Sequence, residues 1–499
     1  MSLTELYLVL LAGGTVMLLS VAAARLADQA GLPVLLAFLG VGLLLGEDGL
    51  GLRFDDVAAA QAIGTAALAV ILVDGGLSTR LSVVRPVLFP AAVLATLGVG
   101  VSVGVTAVAA RFLLGTSWQL ALLLGAIVSS TDAAAVFSIL RAIALPRRLT
   151  GLLEAESGFN DAPTVILVMV LSVSSLKATS PLHLAGELVY ELAGGALAGL
   201  AVGAAGAWLL RRLSLPASGL YPIATLCCGI LAFAAAGAAH ASGFLAAYLA
   251  GLLLGNAGLP HRRATRSVAE GLGWLAQISV FVMLGLLATP HKLPASIIPA
   301  LALGLVMLLL ARPLSVLVSL TPFRVPWREQ VFLSWAGLRG AVPIVLATIP
   351  VVNGVPGSEG LLNLVFVLVV VFTALQGPAL PKLARWLRLT PAHAGRDLQV
   401  DVAPLDTIAA DLLQFTIEAG SRLHGVEIFE LALPPLSVVT LVVRDGQTMV
   451  PQPNTRLRTG DQLLVVSTST SRDATERRLR AVARTGRLAA WRGDSGEPT

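Results

Sequence analysis

Three short stretches concentrate the residues able to do chemistry. The first reads Glu154-Ala155-Glu156-Ser157-Gly158-Phe159-Asn160-Asp161-Ala162-Pro163. Ser157 and Asp161 are four apart, so on a helix they share a face, and Glu156 and Asn160 share the next. One face offers a hydroxyl and a carboxylate to a hard cation. The adjacent face offers a carboxylate that can pair elsewhere. Pro163 cannot donate to the carbonyl of Phe159, which loosens the helix beside Asp161. The second stretch, Ser129-Ser130-Thr131-Asp132-Ala133, sets three hydroxyls and an acid in a row. Such side chains compete with the helical backbone, and a local break releases carbonyls as cation ligands. The third, Gly337-Leu338-Arg339-Gly340-Ala341-Val342-Pro343, frees the carbonyl of Arg339 through Pro343 and loosens the same turn at Gly340. Asp74 is a further isolated acid.

All of these residues lie inside apolar blocks. The chain has 499 residues, of which 56% are hydrophobic and 13% charged, against about 25% charged in a soluble domain. The blocks are about 20 residues long, enough for a helix to cross a bilayer. Thirteen are read, near 3–27, 32–46, 57–78, 87–112, 119–141, 149–175, 184–210, 219–240, 241–258, 269–289, 295–318, 328–350 and 361–386. With the N-terminus outside, the inside loops collect 17 basic residues, Arg312 among them, and the outside loops 4. That asymmetry sets the orientation and places the C-terminus in the cytoplasm. The net charge of +5 sits mostly in these loops, so it reports orientation and gives no sign of a nucleic-acid partner. The acidic start Met1-Ser2-Leu3-Thr4-Glu5 reads as the lead-in to a retained helix, not a secretory signal. Cys227 and Cys228 are neighbours in one block, unsuited to a mutual disulfide and too few for a zinc site.

Two of the blocks are expected to be interrupted, the fifth at Thr131-Asp132 and the twelfth at Arg339-Gly340. Counted as 1–6 and 8–13, both are fifth of six. An odd block between the halves inverts one against the other, the arrangement of an inverted-repeat transporter. Ionisable groups at such depths cost several kcal/mol, so each needs a reason. Asp74, Asp132, Glu156 and Asp161 outnumber Arg339, and the unpaired carboxylate must bind a cation or take a proton. Low dielectric disfavours its bare charge. Competition of the two ions for one carboxylate couples their movements. Nothing resembles a catalytic triad, a metal cluster or a phosphate loop, so the chain reads as a transporter and not an enzyme. A channel gated by the tail predicts a filter such as Thr-Val-Gly-Tyr-Gly, which is absent, and a non-transporting sensor has no use for buried acids. Gly195, Gly199 and Gly203, spaced by four, allow close helix packing within the fold or between copies.

After Leu389 the composition changes. Residues 389–404 read as a linker. Residues 405–484 read as a small α/β domain with strand-like runs at Leu412–Ile417, Ser437–Arg444 and Gln462–Ser467 and a charged helix over 473–484. Residues 485–499 read as a loose tail. The expected fold is an all-α polytopic membrane protein with this small cytoplasmic domain behind it.

Ser157 to Pro163, Thr131-Asp132 and Leu338-Arg339-Gly340-Ala341 resemble the signatures of the monovalent cation/proton antiporter superfamily, in its Asn-Asp branch, over residues 1–388. The resemblance implies that Asp161 carries the ion and the proton, and that Asp132, Ser157 and the Thr131 backbone complete a site for K⁺ or Na⁺. It implies that Glu156 pairs with Arg339, and that Asn160 braces Asp132 or that pair. Asp74 matches an acidic position of relatives. The Asn-Asp pair implies electroneutral one-for-one exchange, and the setting a bacterial inner membrane. Gly425-Val426, the run Ser437–Arg444 and Leu457-Arg458-Thr459-Gly460-Asp461-Gln462-Leu463-Leu464 resemble a TrkA-C domain, the C-terminal half of potassium-conductance regulators. That implies a homodimer and leaves room for a regulatory nucleotide of unknown identity. No Gly-x-Gly-x-x-Gly half precedes it, so NAD-type binding has no support. The tail tilts the reading toward K⁺ over Na⁺, and the only other associate implied is the lipid bilayer.

Overall fold

The computed structural model describes residues 2–132, 135, 136, 139, 145–173, 181–389, 400–405, 410–418, 420–444, 446–468 and 470–489. The chain forms two compact units, Met1–Leu389 and Thr390–Thr499.

The first unit is helical. Its elements are α1 (Leu3–Ala30), α2 (Val34–Leu45), α3 (Val57–Ser78), α4 (Leu81–Leu114), α5 (Trp118–Ser129), α6 (Arg147–Val173) and α7 (Pro181–Arg212). They continue as α8 (Leu220–Ala238), α9 (Gly243–Asn256), α10 (Arg262–Leu287), α11 (Pro294–Phe323), α12 (Trp327–Trp335), α13 (Ala341–Val352) and α14 (Ser358–Trp386). Eight of these are long and apolar enough to cross a membrane, and α2, α5, α9 and α13 are shorter apolar helices. The helix α6 is long enough, yet it is not among the eight, because its first half carries Glu154, Glu156, Asn160 and Asp161. The helices fall on the apolar blocks read above. The end of the fifth block, 133–141, lies mostly outside the described residues.

Corresponding helices of the two halves share their irregularities. A π turn interrupts α4 at Leu94–Gly98, and another interrupts α11 at Met307–Ala311. The two regions meet where the Ser315 hydroxyl donates to the Gly98 carbonyl at 2.7 Å. The helix α5 ends at Ser129, and Ser130 is extended. The chain likewise leaves helical geometry between α12 and α13, at residues 336–340. Pro343 falls in the first turn of α13, where its missing N–H costs no intrahelical bond. Thus the two expected interruptions are both present.

Glycines set the close approaches. A Cβ on Gly195, Gly199 or Gly203 of α7 would lie within 3.0 Å of Ser242, Ala246 or Ala250 on α9. The spacing therefore serves packing within the fold.

The second unit is a five-stranded antiparallel sheet in the order β1-β2-β5-β3-β4, with β1 Val400–Leu405, β2 Ala410–Thr416, β3 Ser437–Arg444, β4 Gln447–Met449 and β5 Gln462–Thr468. Leu413 and Phe415 of β2 alternate inward with Leu463 and Val465 of β5. They pack with Leu479 and Val482 of α15 (Arg472–Thr485) in one core. Residues 390–399 of the span read as linker lie outside the described residues, and its last residues, 400–404, belong to the strand β1. It is an edge strand bearing Asp401 and Pro404, a composition that does not announce a strand. The loose tail is also shorter than expected, since Ala489 is fully buried and Arg487 pairs with Glu430 at 3.1 Å. Residues 490–499 lie outside the described residues.

Candidate ion-binding site

The two helix breaks touch. The Asp132 amide donates to the Leu338 carbonyl at 2.9 Å, so each break supplies the other with the partner its helix no longer provides. One Asp132 oxygen accepts from the Ala135 amide at 3.2 Å, in the manner of an N-cap. Its other oxygen lies over Gly340, where a Cβ would come within 2.0 Å of it. Only a residue without a side chain lets the strands cross this closely. Thr373 from α14 fixes the far side, donating its hydroxyl to the Arg339 carbonyl at 2.9 Å.

The helix α6 packs against this crossing with its two faces doing different work. Asp161, buried, accepts from the Ser130 hydroxyl at 2.6 Å. Asn160, fully buried, donates its amide to the Thr131 hydroxyl at 2.6 Å. The bracing expected of Asn160 therefore falls on Thr131, not on Asp132 or an ion pair. The Thr164 hydroxyl donates to the carbonyls of Asn160 and Asp161, tying down the turn that Pro163 loosens.

Glu156 points away from the site. It forms a two-pronged ion pair with Arg312 of α11, one arm at 2.9 Å, and both residues are at least 95% buried. This corrects two expectations. Arg339 is not the partner of Glu156, and Arg312, read as an inside-loop residue, is buried well within α11. Arg339 is itself buried, and its guanidinium donates to the Gly337 carbonyl at 2.7 Å. The two guanidiniums flank Gly337, where a Cβ would stand 2.8 Å from Arg312 Nε and 3.0 Å from Arg339 Nη1. A desolvated carboxylate takes the base that reaches it with both forks. Here that is Arg312.

A cavity of about 260 Å³ opens beside the crossing. Thr131, Asp132, Ser157 and Asp161 all line it, and so does Asp74 from α3. Glu154 lines it too. Sequence reasoning gave Glu154 no role, although its spacing of three and seven from Ser157 and Asp161 puts all three on one helix face. Tyr248 of α9 forms another wall, admitted by Gly158, whose Cβ would lie 2.4 Å from the Tyr248 ring. No lysine, arginine or histidine lines the cavity among the described residues. Asn160, Glu156 and Arg339 lie outside it.

Four carboxylates around one cavity, at the crossing of two broken helices in an apolar bundle, define a secondary cation transporter. Among known proteins, residues 16–386 match the family model described as sodium/hydrogen exchanger, transmembrane, and residues 412–480 match the TrkA-C domain. The chain is 41% identical over 470 residues to the K(+)/H(+) antiporter NhaP of Alkalimonas amylolytica, covering 92% of this chain and 81% of that protein. It is 37% identical over 473 residues to the K(+)/H(+) antiporter NhaP2 of Shewanella baltica (strain OS223), covering 93% and 81%. In fold it resembles the sodium proton antiporter MjNhaP1 from Methanocaldococcus jannaschii, with a TM-score of 0.65 at 22% identity, covering 75% of this chain and 99% of that one. The chain belongs to the sodium/hydrogen exchanger family. It is a multi-pass membrane cation/proton antiporter with a C-terminal TrkA-C domain, and not an enzyme.

Proposed function

We propose that the protein exchanges K⁺ for H⁺ one for one, with Asp161 carrying either ion. The observation that carries this reading is the contrast inside α6. Glu156 is neutralised by Arg312, whereas Asp161 faces a cavity with no basic residue among the described ones and receives a hydrogen bond from a serine hydroxyl. A hydroxyl serves both states of the carrier, donating to the carboxylate and accepting from the carboxylic acid. Ser157, Asp132 and the Thr131 backbone supply the remaining oxygens for the cation, and Asp74 and Glu154 draw cations into the cavity. An empty charged Asp161 is costly to move through low dielectric, so the site turns over only when loaded. Asn160 is neutral and engaged with Thr131, which leaves one titrating carboxylate per cycle and an electroneutral exchange.

By the basic-residue asymmetry the N-terminus lies outside and the TrkA-C domain in the cytoplasm of a bacterium, with the helical unit in the inner membrane. Proton influx drives K⁺ efflux, and the protein works as a homodimer. The similarity to proteins named K(+)/H(+) antiporters supports K⁺ over Na⁺. The domain at 405–484 regulates exchange through a ligand of the nucleotide class.

The test is proton flux in proteoliposomes carrying a pH dye, with the membrane potential clamped and K⁺ or Na⁺ added in turn. Flux with K⁺ alone, lost in Asp161→Asn, establishes the reading. Flux with both ions makes the protein a broad cation/proton antiporter. No flux from wild type or from a chain cut at residue 400 refutes it.

A further inference from the structure

A second cavity, of about 210 Å³, lies between α3, α6, α7 and the corner joining α8 to α9. Three helices fix its position relative to the first. On α3, Leu68 lines the first cavity and Thr65 the second. On α6 the pair is Asp161 and Val165, and on α9 it is Tyr248 and Phe244. Each step is three or four residues, about 5–6 Å along a helix. The cavities are therefore stacked end to end on the same three helices, with a single turn of each between them. Asp161 sits at the dividing turn.

The second cavity carries two titratable side chains of its own. Glu191 of α7 is half-buried and His240 at the corner is exposed, and both line it. The corner is pinned to α7 on either side of His240. The Tyr190 hydroxyl donates to the Ala239 carbonyl at 3.0 Å, and the Ser242 amide donates to the Glu191 carbonyl at 3.0 Å. His240 itself is held at φ +54°, in the left-handed region that favours glycine. Glu187, one turn earlier on α7, is a further acidic neighbour of Glu191. The parts of α3 and α6 that line this cavity contribute Thr65, Val165, Ile166 and Met169, none of which titrates.

We propose that this cavity is the vestibule leading from Asp161 to the membrane face opposite Glu154, and that the Glu191 carboxylate, beside His240, forms a cation filter at its mouth. The proposal rests on the exchange reading above. The Glu191 carboxylate concentrates cations at the mouth and so supplies K⁺ toward Asp161 from this face.

The experiment measures K⁺-dependent proton flux in proteoliposomes, with K⁺ supplied to one face at a time. Glu191→Gln is expected to raise KM for K⁺ by roughly threefold or more on one face only, with kcat unchanged. Glu191→Asp should restore it. Thr65→Cys, in a chain with Cys227 and Cys228 changed to serine, should be blocked by a membrane-impermeant thiol reagent from that face alone. An unchanged KM in Glu191→Gln, equal changes on both faces, or Thr65→Cys blocked from the Glu154 face overturns the proposal. A wild type that exchanges while these variants behave like it sinks only the vestibule. A wild type that does not exchange sinks the exchange reading itself.

Discussion

Asp161 in the membrane unit and Asp461 in the tail are both buried aspartates, and they are held in opposite ways. Asp461 accepts two hydrogen bonds from the Arg444 guanidinium, at 2.8 and 2.7 Å, and a third from the Arg458 amide at 2.8 Å. It closes the turn at Gly460, where φ is +90°. Its charge is spent on structure. Asp161 accepts from one serine hydroxyl and faces a cavity whose other charged walls are acids. In the exchange proposed above, its charge is met by an ion that arrives and leaves. Glu156, five residues earlier on the same helix, follows the tail's pattern through Arg312. Burial alone therefore does not mark a working carboxylate. In the exchange proposed above, what marks it is burial with no resident base among the described residues.

The largest effect should come from removing the carrier's charge. Asp161→Asn keeps the hydrogen bond with Ser130 and should abolish exchange in folded protein, as read by dye flux. Exchange at the wild-type rate would remove Asp161 from the mechanism. Next in size is Arg312→Ala, which strands Glu156 in the interior and should cost about 3–5 kcal/mol of stability, measured as thermal unfolding in detergent. The double variant Glu156→Leu/Arg312→Met should be much closer to wild type, because it leaves no orphaned charge. A double variant as unstable as Arg312→Ala would mean the pair does more than neutralise itself. At the crossing, Gly340→Ala sets a methyl group against the Asp132 carboxylate. It should slow exchange by about tenfold or more, since small displacements at a site of this kind are costly. Unchanged flux would show that the crossing tolerates slack.

The sequence made the breaks and the cavity face legible because both follow from local rules. Hydroxyls beside Asp132 and the Gly340/Pro343 pair compete with helical hydrogen bonding wherever they occur, and the spacing of Ser157 and Asp161 puts them on one face. The partner of Glu156 was not legible. Arg312 is 156 residues away, and only tertiary packing brings it close. It also resembles a loop arginine, because inside loops are where arginines collect. Glu154 shares the helical spacing that placed Ser157 and Asp161, so its signal was present and unused. The second cavity had none, since Thr65, Glu191 and His240 come from three separate elements. In the tail, the edge strand β1 stayed hidden because it pairs on one side only and contains Pro404, which weakens the alternating pattern that made β2, β3 and β5 readable.

The smallest effect expected, and the one that sharpens the comparison from its other side, is in the tail. Burial pushes the Asp461 carboxyl up, but the Arg444 hydrogen bonds, the Arg458 amide and the charges of both arginines together hold it below its usual value of 3.8. A carboxyl lowered in the folded state contributes stability above its unfolded pKa and loses it as pH falls through the folded one. Asp461→Asn removes the charged partner and leaves Arg444 with a weaker acceptor, at a cost of about 1.5–3 kcal/mol near neutral pH. In the full-length protein this should appear as faster amide hydrogen exchange along β5 and α15, with K⁺-dependent flux unchanged. The difference between variant and wild type should persist down to about pH 4 and shrink below it, as the wild-type carboxyl takes its proton. If the difference instead vanished near neutral pH, Asp461 would titrate where a working carboxylate does, and the division between a spent charge in the tail and a free one in the membrane would fail.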